Sequence, residues 1–217
     1  EIDPYDPRST PKKRTALGRF KHENAEVTTT CDGRAVVYMG DDERFEYIYK
    51  FVSREPWRRA LRRGKSPLDE GTLYVARFEA DGTGRWLELT QGKNGLTAEA
   101  GFPSQAEVVI NARRAADIAG ATKMDRPEWV AVHPDTKDVY ITLTNNSRRT
   151  PEAVDAANPR PNNLMGHIVR WSENGDLDAR AFRWDVFVLC GDPANAAASS
   201  QGNIAGDIFG SPDGLGF

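Results

Sequence analysis

Short runs rich in Val, Ile, Tyr and Trp recur along the chain, separated by turn sequences such as Asp81-Gly82 and Glu173-Asn174-Gly175. Such runs are typical of β-strands, and Asp-Gly or Asn-Gly pairs are typical of the tight turns that join antiparallel strands. The sequence therefore predicts an all-β fold. The predicted strands span residues 35–39, 46–52, 72–78, 85–89, 129–132, 139–143, 167–171 and 182–189.

The order of these runs predicts a β-propeller. Residues 129–145 have the pattern of a strand, a tight Pro-Asp turn and a second strand, and two further strands follow. Four consecutive antiparallel strands make one blade of a β-propeller. Residues 25–53 repeat the pattern of strand, Asp-Gly turn, strand, connector and strand. We predict one domain over residues 1–217 that forms part of a propeller, and a β-sandwich with long loops is the alternative.

One helix is predicted in an insertion between the two strand series, from about residue 103 to residue 118. Ser104 is suited to cap the start of this helix, because a serine hydroxyl can accept a hydrogen bond from a free main-chain N–H of the first turn. Gly120 lies just beyond the predicted end, where glycine often terminates a helix.

Charge and cysteine content argue against several classes of function. The chain carries 29 Lys and Arg against 32 Asp and Glu, a net charge of −3. This near balance leaves no broad cationic surface and disfavours a nucleic-acid partner. No apolar run approaches the roughly 20 residues of a membrane-spanning helix. Cys31 and Cys190 are too far apart in sequence to indicate a disulfide framework or a zinc site.

Acidic clusters lie at the ends of the predicted strands, where a propeller gathers its loops around the central axis. Their carboxylates are Glu23, Asp41, Asp42, Glu128 and Asp213. Carboxylates that converge repel each other unless cations neutralise them, so a shared position would imply bound metal. Oxygen ligands suit calcium, magnesium or ferric iron. Taken singly, each cluster also fits a solvated turn, and Asp125 with Arg126 fits a surface ion pair of little energetic worth.

Several longer runs are specific enough to indicate a family. In chain order they are EIDPYDPRSTPKKRTALGRFKHENA, VVYMGDDERFEYIYKFVS, TKMDRPEWVAVHP, LTNN, NPRPNNLMGHIVRW and SPDGLGF. Over essentially its whole length the chain resembles the PhoX-type alkaline phosphatases. The resemblance implies a six-bladed propeller, secreted to the periplasm or the cell exterior and usually exported by the Tat route. It also implies hydrolysis of small phosphate monoesters at a mixed centre of iron (Fe³⁺) and calcium.

The resemblance assigns roles to individual positions. The implied metal ligands are Glu23, Glu128, Asp213, Asp41, Asp42 and Asn146. Arg126 and Glu128 are the implied catalytic pair. Arg126 lies two residues before Glu128, and we expect both on one face of an extended chain, with the guanidinium holding phosphate oxygens. The implied supporting residues are His22, Asn145, His167 and Asp125.

The sequence also departs from the family, and other functions stay open. It begins without a methionine or a signal peptide, and we expect it to be an internal piece of a longer, monomeric protein. Neither cysteine lies in a motif that matches the family's cysteine ligand to iron. A non-catalytic propeller stabilised by calcium is one alternative, and a lactonase- or phytase-like calcium propeller is another. Arg126 disfavours the first, because a structural calcium site has no use for an anion-binding cation.

Overall fold

The structure, a computed structural model, describes residues 1–217 and contains one antiparallel sheet of nine strands. All eight predicted strands are confirmed, and a ninth, β1, covers the first strand of the 25–53 pattern. The strands are β1 (His22–Thr29), β2 (Arg34–Asp41), β3 (Ile48–Pro56), β4 (Gly71–Phe78), β5 (Thr83–Glu88), β6 (Pro127–Val132), β7 (Val139–Leu143), β8 (His167–Glu173) and β9 (Ala181–Leu189).

The sheet consists of two consecutive series of antiparallel strands, as a propeller-like fold requires. Strands β1 to β5 each pair with the next strand in the chain, and so do β6 to β9. The two series are joined where β5 pairs with β9, between Thr83–Arg85 and Ala181–Arg183. The opposite edges, β1 and β6, lie side by side, so the sheet nearly closes on itself. The prediction that β6 to β9 form one four-stranded unit is confirmed.

Asn24 links the two edge strands. Its side-chain amide donates to the carbonyl oxygen of Val130 at 2.8 Å, and its side-chain oxygen accepts from the Val130 N–H at 3.0 Å. Both polar groups of one β6 residue are thereby satisfied by a side chain of β1, in place of regular strand pairing. The link fixes the start of β6 against the start of β1.

The close approach of β2 to β6 depends on a glycine. A Cβ atom on Gly40 would lie 2.5 Å from the carbonyl oxygen of Pro127 and 2.7 Å from that of Glu128. Both contacts are with main-chain atoms of a strand, which cannot move aside as a flexible side chain can. The absence of a side chain at Gly40 therefore allows the end of β2 to lie directly against the start of β6.

The apolar core has two parts. One part lies between the two strand series and includes the clustered rings of Tyr38, Trp86, Trp171 and Phe182. The other part lies between the first strand series and the helices that follow β5, and it includes Phe51. None of the helices has the length and apolar character required to cross a bilayer.

A buried ion pair joins the two strand series inside the first core. The Lys50 ammonium lies 3.1 Å from the Glu173 carboxylate and also donates to the carbonyl oxygens of Leu177 and Ala179. Glu173 accepts further hydrogen bonds from the Tyr38 hydroxyl and the Trp86 indole. Because every polar group has a partner, removal of one member would leave a buried charge uncompensated, at a cost of about 3–5 kcal/mol.

The helical region differs in part from the prediction. Three short helices are present: α1 (Trp57–Arg62), α2 (Gln105–Ile110) and α3 (Ala112–Ala119). The predicted Ser104 cap is confirmed, since its hydroxyl accepts from the Glu107 N–H at 3.3 Å, and Gly120 ends α3 in the left-handed conformation. The single helix predicted here is divided at Asn111, whose side chain bonds to the Glu107 carbonyl and competes with the helical pattern.

We expect Gly40→Ala to destabilise the full-length protein by about 1–3 kcal/mol, as overpacking of a rigid site does. The added methyl group would push the Pro127–Glu128 backbone away from β2. The free energy of unfolding, measured by denaturant titration, checks this. Gly216→Ala is the matched control, because a Cβ there meets no atom within 4 Å. Equal stability of the two variants would contradict the close contact.

Candidate active site

An arginine and two carboxylates meet where the end of β2 lies against the start of β6. Asp42 directly follows β2, and Glu128 is the second residue of β6. The Arg126 Nη2 atom lies 2.9 Å from the Asp42 Oδ1 atom and 2.9 Å from the Glu128 Oε1 atom. The Arg126 side chain is 27% exposed and that of Glu128 only 5%. A solvent-accessible guanidinium therefore lies over a buried carboxylate.

The reason for the contact between Arg126 and Glu128 differs from the prediction. We expected both side chains on one face of an extended chain, but Arg126 has a φ of 55°, in the left-handed region. Residues other than glycine rarely adopt this backbone conformation, which costs them roughly 1–2 kcal/mol. Arg126 lies between Asp125, which pairs with Arg44 in an isolated bridge, and the start of β6 at Pro127. The left-handed conformation of Arg126, and not strand alternation, places the guanidinium beside Glu128.

Glu128 lies in a region of excess negative charge. The pKa of Glu128 is raised to about 8, mainly by burial and then by the charge of Asp42, with smaller contributions from Asp213 and Glu23, while Arg126 opposes the rise. The Asp42 Oδ1 atom is buried and has no hydrogen bond of good geometry, although Arg126 is near. Glu128 and three other carboxyl groups therefore influence one another here, and Arg126 is the cation that opposes their negative charge. No three His, Cys, Asp or Glu side chains are close enough together to hold one metal ion.

The neighbouring residues Asp41 and Asp42 have different surroundings. Asp41 is fully buried, and its two carboxylate oxygens accept from Nη2 and Nε of Arg113 on α3 at 2.6 and 2.7 Å. One of these oxygens also accepts from the Lys21 main-chain N–H. The Asp41 carboxylate is therefore engaged in a structural ion pair on the side of β2 away from Glu128. Of these two predicted metal ligands, only Asp42 contacts Arg126.

Asp125 anchors the chain next to Arg126. It is fully buried, and its carboxylate accepts hydrogen bonds from the Asn146 amide at 2.9 Å, the Asn163 amide at 2.9 Å and the Arg149 Nε at 2.6 Å. The interpretation of Asp125 and Arg126 as a surface ion pair is therefore wrong. The Asn146 amide, predicted to contact metal, donates to Asp125 in this structure.

His167 contacts Asn163, one of the three donors to Asp125. It is fully buried, with Nε2 2.8 Å from the Ala157 carbonyl oxygen and Nδ1 3.1 Å from the Asn163 amide nitrogen. Both contacts are satisfied by a neutral ring that carries its proton on Nε2. Burial lowers the pKa of His167 to about 4, an effect that Asp125 opposes and that Arg160 and Arg149 reinforce.

The other predicted site residues are less tightly held. Glu23 on β1 and Asp213 near the end of the chain are exposed and act on Glu128 through their charge. His22 lies 2.9 Å from the Gly18 carbonyl oxygen and stacks on Phe20, so its ring does not contact Glu23. Asn145 is partly buried beside Asn146.

Four residues important to this region were absent from the predicted site: Asn24, Arg113, Arg149 and Asn163. Asn163 lies within the NPRPNN run, and Arg149 follows the LTNN run, so both are close to motifs that pointed to the family. Their functions depend on burial and on partners distant in sequence. No local pattern indicates these properties.

We expect the protein to lose stability as pH falls from 6.5 towards 4, in part because of His167. The unfolded chain binds a proton near the ordinary pKa of 6.5, whereas the folded protein resists protonation down to about 4. The stability advantage of wild type over His167→Gln should therefore shrink through this window and stay constant above it, as followed by thermal unfolding.

The matched control is Ser53→Ala, which removes a buried hydrogen-bonding side chain that has no titratable group in this pH range. The stability advantage of wild type over this variant should be the same from pH 7 to pH 4. An advantage over His167→Gln that is the same at pH 7 and pH 4 would contradict a neutral, buried His167.

Comparison with known proteins identifies the family. The sequence matches the family "Alkaline phosphatase PhoX" over residues 1–217. Among solved structures it is similar to "Pseudomonas fluorescens PhoX in complex with vanadate, a transition state analogue", with 52% identity and a TM-score of 0.91. The match covers 100% of this chain and 40% of that one, so the chain spans less than half the length of this relative. A comparison with curated proteins gives no match. The chain belongs to the PhoX family of alkaline phosphatases.

Proposed function

We propose that the protein is a phosphomonoesterase of the alkaline phosphatase type, which hydrolyses small phosphate monoesters and releases inorganic phosphate. The observation that carries this proposal is the partly exposed guanidinium of Arg126 between Asp42 and the buried Glu128. Family membership and the similarity to a vanadate complex support it, because vanadate is named there as a transition-state analogue. By the same family resemblance, we propose a periplasmic or extracellular location and a monomeric protein.

The donor chemistry of this region suits bound cations, although no three of its acidic side chains are close enough together in this structure to hold one ion. Burial and the neighbouring carboxylates raise the pKa of Glu128, and Asp42 and Glu128 share the single neutralising charge of Arg126. Glu128, Asp42, Glu23 and Asp213 would hold the ions through oxygen atoms, which suits ferric iron and calcium. When bound, these ions would supply positive charge that polarises the phosphoryl oxygens.

Arg126 would bind the phosphate group of the substrate. Its planar guanidinium can hold two phosphate oxygens at once, and its exposure leaves it accessible from solvent. Asp42 and Glu128 hold one end of the guanidinium in the free protein and so limit its rotation. In the transition state the same group would stabilise negative charge on the equatorial oxygens.

Two substitutions separate binding of metal from binding of phosphate. Glu128→Gln keeps the shape of the side chain but removes its charge, so we expect loss of bound iron together with activity. Arg126→Ala removes no carboxylate and should keep the metals, while kcat/KM for a chromogenic phosphate monoester falls by about 10²–10³-fold. Elemental analysis and steady-state kinetics of the full-length protein check both.

Arg170→Ala is the matched control, because Arg170 pairs with Asp185 in the middle of β8 and β9 and contacts none of the site residues named above. It should change neither metal content nor kinetics. Wild-type turnover by Arg126→Ala would contradict phosphate binding by this arginine. Calcium without iron in active wild-type protein would favour the lactonase- or phytase-like alternative, and calcium without any turnover would favour the non-catalytic one.

A further inference from the structure

The loop between β7 and β8, residues 144–166, is long and carries an unusual number of buried polar side chains. Its only regular element is a 3₁₀ turn at Pro151–Ala153. Loops of more than about 12–15 residues without secondary structure are uncommon in compact domains and are often functional. This loop directs several polar side chains into the protein. The buried polar residues of the loop are Thr144, Asn146, Arg149, Asn158, Arg160 and Asn163.

Three of these side chains converge on Asp125. Asn146 and Arg149 donate to its Oδ1 atom and Asn163 donates to its Oδ2 atom. All four side chains are no more than 3% exposed. A buried carboxylate is stable only when it is paired and fully hydrogen-bonded, so the loop and Asp125 hold each other in place.

The main chain is fixed on both sides of Arg126. Before it, the Lys123 carbonyl oxygen accepts from Arg149 Nη2 at 2.8 Å and from the Asn158 amide at 3.0 Å. After it, Pro127 pairs with Leu143 at the start of β6. Between these fixed points Arg126 is held in the left-handed conformation, with a φ of 55°.

We propose that the β7–β8 loop positions Arg126 for phosphate binding, acting through Asp125. Asn146, Arg149 and Asn163 are positioning residues in this account, because they contact Asp125 and not Arg126, Asp42 or Glu128. When a donor to Asp125 is lost, the strained left-handed backbone of Arg126 can relax towards an extended conformation. The guanidinium would then leave its place beside Glu128, although no group that binds phosphate has been removed. The inference rests on the proposed role of Arg126 in phosphate binding.

A double-mutant cycle on the full-length, metal-loaded protein tests the proposal. Asn163→Ala should lower kcat/KM for a chromogenic phosphate monoester by about 10–100-fold, the usual effect of losing a supporting hydrogen bond at such sites. In an Arg126→Ala background the same substitution should cost no more than about 2-fold, because its effect passes through Arg126. Iron and calcium contents should be unchanged in Asn163→Ala. Inorganic phosphate affinity, measured by calorimetry, should follow the same pattern.

Equal losses from Asn163→Ala in both backgrounds would overturn the proposal, since a general structural effect is additive. Wild-type kinetics in Asn163→Ala would overturn it as well. Ser53→Ala, which removes a buried hydroxyl that accepts from the Ala35 N–H, is the control for loss of any buried hydrogen bond and should leave kinetics unchanged. Should Asn163→Ala fail to fold, Asn146→Ala removes a different donor to Asp125, with the same expected pattern.

The two proposals fail in different ways. Wild-type protein that binds inorganic phosphate but hydrolyses no monoester would contradict the proposed function alone. The phosphate affinities of wild type, Asn163→Ala, Arg126→Ala and the double variant would then decide whether the loop positions Arg126. Wild-type protein that neither binds phosphate nor hydrolyses its esters would overturn both.

Discussion

The candidate site depends on the hydrogen bonds that the buried Asp125 carboxylate accepts from Asn146, Arg149 and Asn163. A buried charge without partners would cost several kcal/mol, so the three donors from the β7–β8 loop must reach it in the folded state. The need to bring these three donors to Asp125 determines the path of the loop, the start of β6 and the left-handed conformation of Arg126. The arrangement of Arg126, Asp42 and Glu128 follows from this one anchored side chain, which itself faces away from them.

The second constraint is the contact between the two strand series. Gly40 allows β2 to approach β6 at main-chain distance, and Asn24 connects β1 to Val130. These contacts gather side chains from distant parts of the sequence at one place. The burial of Glu128, together with the negative charge around it, costs stability in the absence of cations, as its raised pKa indicates. A fold that gathers carboxylates in this way is suited to bind metal ions, and Arg126 is the cation that we propose binds phosphate at the same place.

Much of the fold could be predicted from sequence because alternating apolar residues and Asp-Gly or Asn-Gly turns are local signals. The β6–β9 unit was predicted for this reason, as were the Ser104 cap and the Gly120 stop. The proximity of Arg126 and Glu128 was also predicted, but the left-handed conformation of Arg126 was not, because the donors that fix the chain beside it lie in a loop that begins 18 residues later. The different roles of Asp41 and Asp42 depend on Arg113 on α3, which no pattern around the two aspartates reveals.

The most direct test of this account is a crystal structure of the full-length protein with inorganic phosphate bound and with iron located by anomalous scattering. The account predicts metal ions in contact with the Glu128 carboxylate and with at least one of Glu23, Asp42 and Asp213. It also predicts Arg126, still in its left-handed conformation, hydrogen-bonded to the phosphate. Metal ions and phosphate bound elsewhere, with Arg126 still paired to Asp42 and Glu128, would contradict it.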